Sequence, residues 1–356
     1  MSIRALVVDD SALYRKIVSD ILDSIPEVQV VGRAQNGQEA LRKCRELLPD
    51  LITLDLEMPL LDGLGVLQGL KEESHVPGVI MLSSLTTAGA KVTISALRLG
   101  ALDFVVKPSG SDIDQNVVEL RQELQPKVEA FMATRQSQVE SAPSTQPIES
   151  VSSSDPLTTH HIAPQIVVIG ISTGGPRALN EMLPALPADF PLPILIVQHM
   201  PPVFTKSLAE DLDKHCALTV REAEQDQAII PGQVLIAPGG RHMRISAAGG
   251  SPRVLITDDP PVHSCRPAVD LLFESAASCY REAVLAVIMT GMGSDGTAGI
   301  KVLKKYNVPV IAQDKNSCTV FGMPRIPIEE GLADVVCPLS EIATQIQQLS
   351  RRTQLL

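Results

Sequence analysis

Leu51-Ile-Thr-Leu-Asp55 is a short run of β-forming residues closed by a carboxylate, and the first part of the chain repeats the arrangement. Ala5-Leu-Val-Val8 is followed by Asp9 and Asp10, and Phe104-Val-Val106 by Lys107 and Pro108. A further run, Val79-Ile-Met-Leu82, ends at Ser83. Helical stretches at Ser11–Leu22, Gly37–Leu47, Gly63–Glu72 and Ala88–Leu99 separate or follow these runs, and a last helix is expected from about Asp112 to Met132. Strand–helix alternation of this kind predicts a doubly wound α/β sheet. In an open parallel sheet, residues that end strands meet at its carboxyl edge, where ligands bind at the switch point of strand order. Asp9, Asp10 and Asp55 gathered there suit a hard divalent cation such as Mg²⁺, held through oxygen. One carboxylate can then take a phosphoryl group while Lys107 offsets the added charge. Any one of these acids alone reads as an ordinary polar strand end; the set together does not.

With Met58-Pro59 and Asp62-Gly63, the set resembles the receiver domain of two-component response regulators. That resemblance implies a flavodoxin-like fold over residues 1–135, with Asp55 accepting phosphate from a histidine kinase. It implies Mg²⁺ at Asp9, Asp10 and Asp55, and phosphoryl contacts from Ser83 and Lys107. Phe104 stands where the family often carries a switching aromatic, and as a single apolar residue it reads equally well as core.

Composition narrows the class. The 356 residues are enough for two domains with separate cores. A net charge of −11 argues against a nucleic-acid binder that relies on broad electrostatic attraction. Aromatics are scarce and Trp is absent, so no platform for stacking bases is evident. No apolar run approaches a membrane span, and the acids at Asp9 and Asp10 interrupt any signal peptide. The expectation is a cytoplasmic protein without membrane insertion. The six cysteines lack a CxxC pair, which fits reduced thiols better than disulfides or zinc.

Residues 136–163 are rich in Ser, Thr, Gln and Pro, with no Lys or Arg between Arg135 and Arg177. Such composition reads as a linker with too little apolar content to pack. A second domain is therefore expected over residues 164–350. It opens with a strand, Gln165-Ile-Val-Val-Ile-Gly170, then Ile171-Ser-Thr-Gly-Gly-Pro176 and a helix from Pro176 to about Leu183. A serine at such a strand-to-helix turn lies beside free N–H groups, which suit an oxyanion or a bound phosphate equally. The turn lacks the Gly-Lys-Ser/Thr ending of a Walker loop.

A nucleophilic serine needs a base and a group to orient that base. His199 follows the strand Ile194-Leu-Ile-Val197, while His242, after the Val234–Ala237 run, is its strongest rival. Asp295 lies beyond the Ala283–Met289 strand, in Thr290-Gly-Met-Gly-Ser-Asp-Gly296. Taken alone it reads equally as a turn or cap aspartate. Ser172, His199 and Asp295 together make a Ser-His-Asp hydrolase plausible, although spacing cannot establish that they meet.

Gly170-Ile-Ser-Thr-Gly-Gly175, Gln198-His-Met-Pro201, Ala237-Pro-Gly-Gly-Arg-His-Met243, Arg266-Pro-Ala-Val-Asp270, Thr290-Gly-Met-Gly-Ser-Asp-Gly296, Ala312-Gln-Asp314 and Phe321-Gly-Met-Pro324 form one specific set. They resemble the catalytic domain of the chemotaxis protein-glutamate methylesterase (CheB) family, whose members also carry an N-terminal receiver. The resemblance implies a Rossmann-like, mostly parallel α/β domain. It makes Ser172 the nucleophile, His199 the base and Asp295 its orienting acid, with Thr173 and Met292 flanking the oxyanion site. The implied activity is phosphorylation-regulated hydrolysis of γ-glutamyl methyl esters on methyl-accepting chemotaxis receptors, releasing methanol, with deamidation of receptor glutamines. Mg²⁺ serves the receiver, and no cofactor is expected for ester hydrolysis. Pro-Ala-Val replaces the commoner Pro-Ser-Val and touches no triad motif. An alternative of another class is a receiver-regulated, non-catalytic interaction module. A DNA-binding output would call for a basic recognition helix, which the second domain does not display.

Overall fold

The computed structural model describes residues 2–140 and 162–351. Its first unit runs β1 (Ile3–Val8), α1 (Ala12–Asp23), β2 (Val28–Ala34), α2 (Gly37–Leu47), β3 (Leu51–Asp55), α3 (Gly63–Leu70), β4 (Gly78–Ser83), α4 (Thr87–Leu99), β5 (Asp103–Val106) and α5 (Ile113–Glu140). The strands form one sheet in the order β2-β1-β3-β4-β5, with every pairing parallel. This is the flavodoxin-like order, whose switch point lies between β1 and β3. Every residue of β3 is buried, as a central parallel strand covered by helices on both faces requires. Helix starts are set by side chains that accept a backbone N–H three residues on. Ser11, Asn36, Asp62 and Thr86 do this for α1 to α4 in turn. The strands therefore give way to helices soon after the sheet edge, and the edge stays open for polar groups.

The second unit contains β6 (Ile166–Ile171), α6 (Gly175–Met182), β7 (Ile194–Gln198), α7 (Phe204–Asp213), β8 (Thr219–Glu222) and β9 (Gln233–Ile236). It continues with β10 (His242–Ser246), β11 (Arg253–Thr257), α8 (Val269–Tyr280), β12 (Val284–Ile288), α9 (Thr297–Lys304), β13 (Val310–Gln313), α10 (Arg325–Glu329), β14 (Val335–Cys337) and α11 (Leu339–Arg351). Seven strands form a parallel sheet in the order β14-β13-β12-β6-β7-β9-β8, and β10 and β11 pair as a separate antiparallel ribbon. From β6 the chain builds outward through β7 and then returns to build β12, β13 and β14 on the other side. The reversal between β6 and β12 makes that gap the crevice in which such sheets bind ligands. β6, β7 and β12 are buried throughout, so only their ends can carry chemistry.

The two units pack against each other. Phe104 of β5 stacks on Phe204 of α7, with ring centroids 4.4 Å apart and planes inclined by 24°. Phe104 is thus buried core, and it is also the receiver's half of an interdomain pair. Ion pairs Lys91–Glu210 (3.6 Å) and Arg98–Asp211 (3.7 Å) flank it between α4 and α7. Thr134 Oγ1 donates to the Thr319 carbonyl at 3.1 Å, beside a seam cavity of about 410 Å³ lined by Phe131, Arg135, Arg177 and Glu181.

Helix α5 differs from expectation. It continues to Glu140, beyond Met132 and into the stretch whose composition reads as linker. Its tertiary contacts here include the Thr134 bond to Thr319 and an Arg135–Asp50 ion pair at 2.7 Å. Gln and Glu in 136–140 carry little helical penalty, so the helix propagates past a boundary drawn on polarity. Residues 141–161, most of the rest of the linker expected over 136–163, lie outside the described residues. Among the described residues no helix is long and apolar enough to cross a membrane.

Candidate active site

The two sheet edges present different chemistry. At the receiver edge, Lys107 Nζ lies 2.7 Å from Asp9 Oδ2 and 2.7 Å from Asp55 Oδ2. Oxygens of Asp9, Asp10 and Asp55 lie within 4.8 Å of one another. Asp9 and Asp55 are buried and Asp10 is exposed, so the cluster opens to solvent on one side. Burial pushes the Asp55 carboxyl up to about 6; Lys107 opposes this, and the Asp9 and Asp10 charges add to it. Burial works against the Lys107 charge, but Asp55 and Asp9 outweigh it and raise the ammonium above its ordinary range. Ser83 ends β4 as expected, yet its hydroxyl is engaged elsewhere. It donates to the Ser84 carbonyl at 3.2 Å and accepts from Thr93 Oγ1 at 2.7 Å.

At the second edge the three candidate residues follow neighbouring strands: Ser172 after β6, His199 after β7 and Asp295 after β12. The backbone joins them closely. His199 N–H donates to the Ile171 carbonyl at 3.2 Å, and Ser172 N–H to the Thr290 carbonyl at 2.9 Å. His199 Nε2 lies 2.8 Å from Asp295 Oδ2, which leaves Nδ1 as the nitrogen free to act on a substrate. Ser172 Oγ makes no hydrogen bond among the described residues. Nδ1 instead faces Cys265 Sγ at 3.6 Å. Burial disfavours the imidazolium, but Asp295 on one nitrogen and Cys265 on the other outweigh it, raising His199 to about 9.

Asp295 is held by backbone as well as by histidine. Its Oδ2 accepts from Val269 N–H (2.7 Å) and its Oδ1 from Asp270 N–H (2.9 Å), both in the first turn of α8. The helix N-terminus favours the ionised form. Burial works against that charge, but the His199 contact and the two N–H bonds outweigh it and hold the carboxyl below its ordinary range. Asp270 returns the favour to the next helix. Its Oδ1 accepts from Gly296 N–H (2.9 Å) and Gly299 N–H (2.7 Å) at the start of α9. Burial, with the nearby Asp295 charge adding to it, raises the Asp270 carboxyl. Two adjacent acids are thus pushed apart, one kept ionised for the histidine and one serving the turn.

Thr173 is buried and Met292 exposed, and the N–H of neither donates to a described residue. The glycines nearby are required by close approach. A Cβ on Gly291 would lie 2.8 Å from Ser172 Cβ, and one on Gly175 would collide with the Gln198 side chain. Gly174 has φ +78°, a left-handed conformation that also brings it against Thr319. Gln198 is buried beneath the site and donates through Nε2 to the carbonyls of Ser172 (3.0 Å) and His199 (3.1 Å).

His242, the rival base, is fully buried in β10. Its Nδ1 accepts from Ala268 N–H at 3.2 Å and its Nε2 faces the Pro260 carbonyl at 3.1 Å. Both nitrogens therefore support the loop leading to α8, away from Ser172. Sequence reasoning assigned no role to Asp270, Cys265 or Gln198. The first and last lie inside motifs quoted for the resemblance; Cys265 immediately precedes one.

Comparison with known proteins places both units in known families. The family profile described as CheB methylesterase matches residues 167–346. The chain belongs to the CheB methylesterase family. The profile of the response regulator receiver domain matches residues 5–118. A relative from Desulfotalea psychrophila, named protein-glutamate methylesterase/protein-glutamine glutaminase, is 48% identical over 97% of this chain and 98% of its own. One of the same name from Thermotoga maritima is 46% identical over 98% of each. The solved structure of the Thermotoga maritima CheB methylesterase catalytic domain aligns with a TM-score of 0.52 at 48% identity. It covers 53% of this chain and 100% of that one. Relatives of this family name leave the non-catalytic interaction module without support.

Proposed function

We propose that the chain hydrolyses γ-glutamyl methyl esters on methyl-accepting chemotaxis receptors, with Ser172 as nucleophile, His199 as base and Asp295 as orienting acid. The observation that carries this reading is the 2.8 Å contact of His199 Nε2 with Asp295, beside Ser172 at the switch point of the sheet. Ser172 Oγ attacks the γ-carbonyl and its proton passes to His199 Nδ1. The tetrahedral oxyanion is met by the Thr173 and Met292 N–H groups, which have no other partner among the described residues. Methanol leaves with the proton from His199, and water hydrolyses the glutamyl-serine ester by the same relay. A glutamine amide entering the site releases ammonia instead of methanol.

The receiver governs this reaction. Asp55 is the phosphoryl acceptor, supplied by a histidine kinase. Asp9, Asp10 and Asp55 form an all-oxygen donor set suited to Mg²⁺, which neutralises phosphoryl charge when bound. Lys107, held between Asp9 and Asp55, offsets charge on the phosphorylated carboxylate. Ser83 turns to the phosphoryl group by exchanging its Ser84 bond. The receiver occupies residues 1–135, with the end of α5 running on to Glu140, and the catalytic domain residues 164–350, joined by the segment between. Thr173 lies in a cleft with receiver residues Ile80, Leu102, Lys127 and Phe131, so the unphosphorylated receiver crowds the oxyanion side of the site. Phosphorylation shifts the receiver's population and relieves that crowding.

Methanol release from methylated receptor membranes tests the catalytic reading. Ser172→Ala is expected to lower release on the order of 10⁴-fold or more while the protein stays folded. Release that survives this substitution would refute the serine mechanism.

A further inference from the structure

The nitrogen that must take the serine proton already has a neighbour. Cys265 is the last residue of a tight turn closed by Val262 and Cys265, each N–H donating to the other's carbonyl at 3.1 and 2.8 Å. His263 (φ 50°) and Ser264 (φ 61°) make the reversal. The turn delivers the Cys265 thiol to His199 Nδ1 at 3.6 Å and leaves it partly exposed. On the far side of the ring, Asp295 fixes Nε2. The Cys265 Sγ, a His199 ring nitrogen and an Asp295 oxygen lie within 4.8 Å of one another. The chain's other thiols are placed differently. Cys44, Cys318 and Cys337 are buried, Cys279 Sγ bonds to the Ile245 carbonyl, and no imidazole bonds to Cys216 or Cys279 among the described residues.

We propose that Cys265 Sγ and His199 Nδ1 form a binding site for a thiophilic divalent cation of the Zn²⁺ class, and that its occupancy switches the esterase off. The separation is the first argument. A tetrahedral zinc with ordinary Zn–S and Zn–N bonds spans its sulfur and nitrogen ligands by about 3.6 Å. The two atoms already stand at 3.6 Å. The second argument is the outer shell. A metal-bound histidine ordinarily gives its other nitrogen to a carboxylate, which fixes ring orientation and raises ligand basicity. Asp295 holds that position. The third is selectivity: sulfur and imidazole suit Zn²⁺ and exclude Mg²⁺, whereas the receiver's carboxylates suit Mg²⁺. One chain thus separates a hard-ion edge from a soft-ion edge.

The off-switch rests on the proposed catalytic role of His199. Binding releases the Cys265 thiol proton to solvent, together with the Nδ1 proton where the ring is charged, and engages the Nδ1 lone pair. That lone pair is then closed to the Ser172 proton, and solvent completes the coordination sphere. Chelation restores it.

The test uses the full chain with Mg²⁺ present to occupy the receiver, and Co²⁺ as a spectroscopic substitute for Zn²⁺. A thiolate-to-cobalt charge-transfer absorption should grow to one equivalent and vanish when Zn²⁺ displaces the cobalt. The band should be lost in Cys265→Ser and kept in Ser172→Ala and Cys216→Ser. Asp295→Asn should weaken binding about 10–100-fold through loss of the outer-shell carboxylate. In the esterase assay Zn²⁺ should inhibit reversibly, and Cys265→Ser, whatever its basal rate, should need more than about 100-fold more Zn²⁺ for half-inhibition. No band, or a band that persists in Cys265→Ser, overturns the site. A band without inhibition in an active enzyme overturns the off-switch. A band in a chain that releases no methanol tells against the esterase reading and leaves the metal site standing.

Discussion

The receiver edge and the catalytic edge follow one topological rule and manage charge in opposite ways. Both place polar side chains at the carboxyl ends of buried parallel strands, at the point where strand order reverses. The receiver gathers acids and pins them with one partly buried cation, Lys107, at 2.7 Å from both Asp9 and Asp55. The catalytic edge gathers Asp270 and Asp295 without such a lysine. It stabilises them with backbone N–H groups at the starts of α8 and α9. A movable side chain suits a site whose charge changes on phosphorylation. Fixed peptide dipoles suit a site whose geometry must not change during turnover.

The largest expected effect falls on the fixed edge. Asp295→Asn keeps the shape but removes the charge that orients His199, and kcat should drop by roughly 10⁴-fold in the methanol assay. A drop below tenfold would mean that the α8 backbone, not the carboxylate, positions the histidine. At the receiver edge, Lys107→Ala leaves two buried carboxylates facing each other. It should cost about 3 kcal/mol in urea unfolding without Mg²⁺, and added Mg²⁺ should recover part of the loss. An unchanged midpoint would show that Lys107 is not the pin.

The next prediction concerns pH. His199 is raised to about 9, so below that value most of the enzyme carries the imidazolium, which cannot accept the serine proton. The rate kcat/KM should therefore climb about tenfold per pH unit up to about 9 and then level off. A plateau already reached near pH 7 would contradict the balance of burial, Asp295 and Cys265 described for this ring. The smallest effect tests the join between the edges. Phe104→Ala removes a stacked pair worth about 0.5–1.5 kcal/mol, so basal methanol release should rise about two- to tenfold. No rise would remove this pair from the restraint.

Much of this was legible in the sequence because parallel strands concentrate chemistry at their ends. Asp9, Asp55, Lys107, Ser172 and His199 could each be placed by counting to the end of an apolar run. Their mates could not. Which nitrogen of His199 faces Asp295 depends on three-dimensional approach. Cys265 reaches that ring only because His263 and Ser264 adopt positive φ in a turn with no hydrophobic period. Asp270 drew no role from the sequence, because its bonds run to Gly296 and Gly299, about one helix–strand unit away. The end of α5 was hidden for another reason, since the contacts that extend it, to Thr319 and Asp50, are tertiary.

In the proposed function one edge does the chemistry and the other governs access to it. Methanol release from methylated receptor membranes, measured with and without a small phosphodonor plus Mg²⁺ in the full chain and in Asp55→Asn, tests it most directly. Release should rise with phosphodonor in the unmodified chain and stay at its basal rate in Asp55→Asn. Equal activation of both, or release indifferent to phosphodonor, would contradict it.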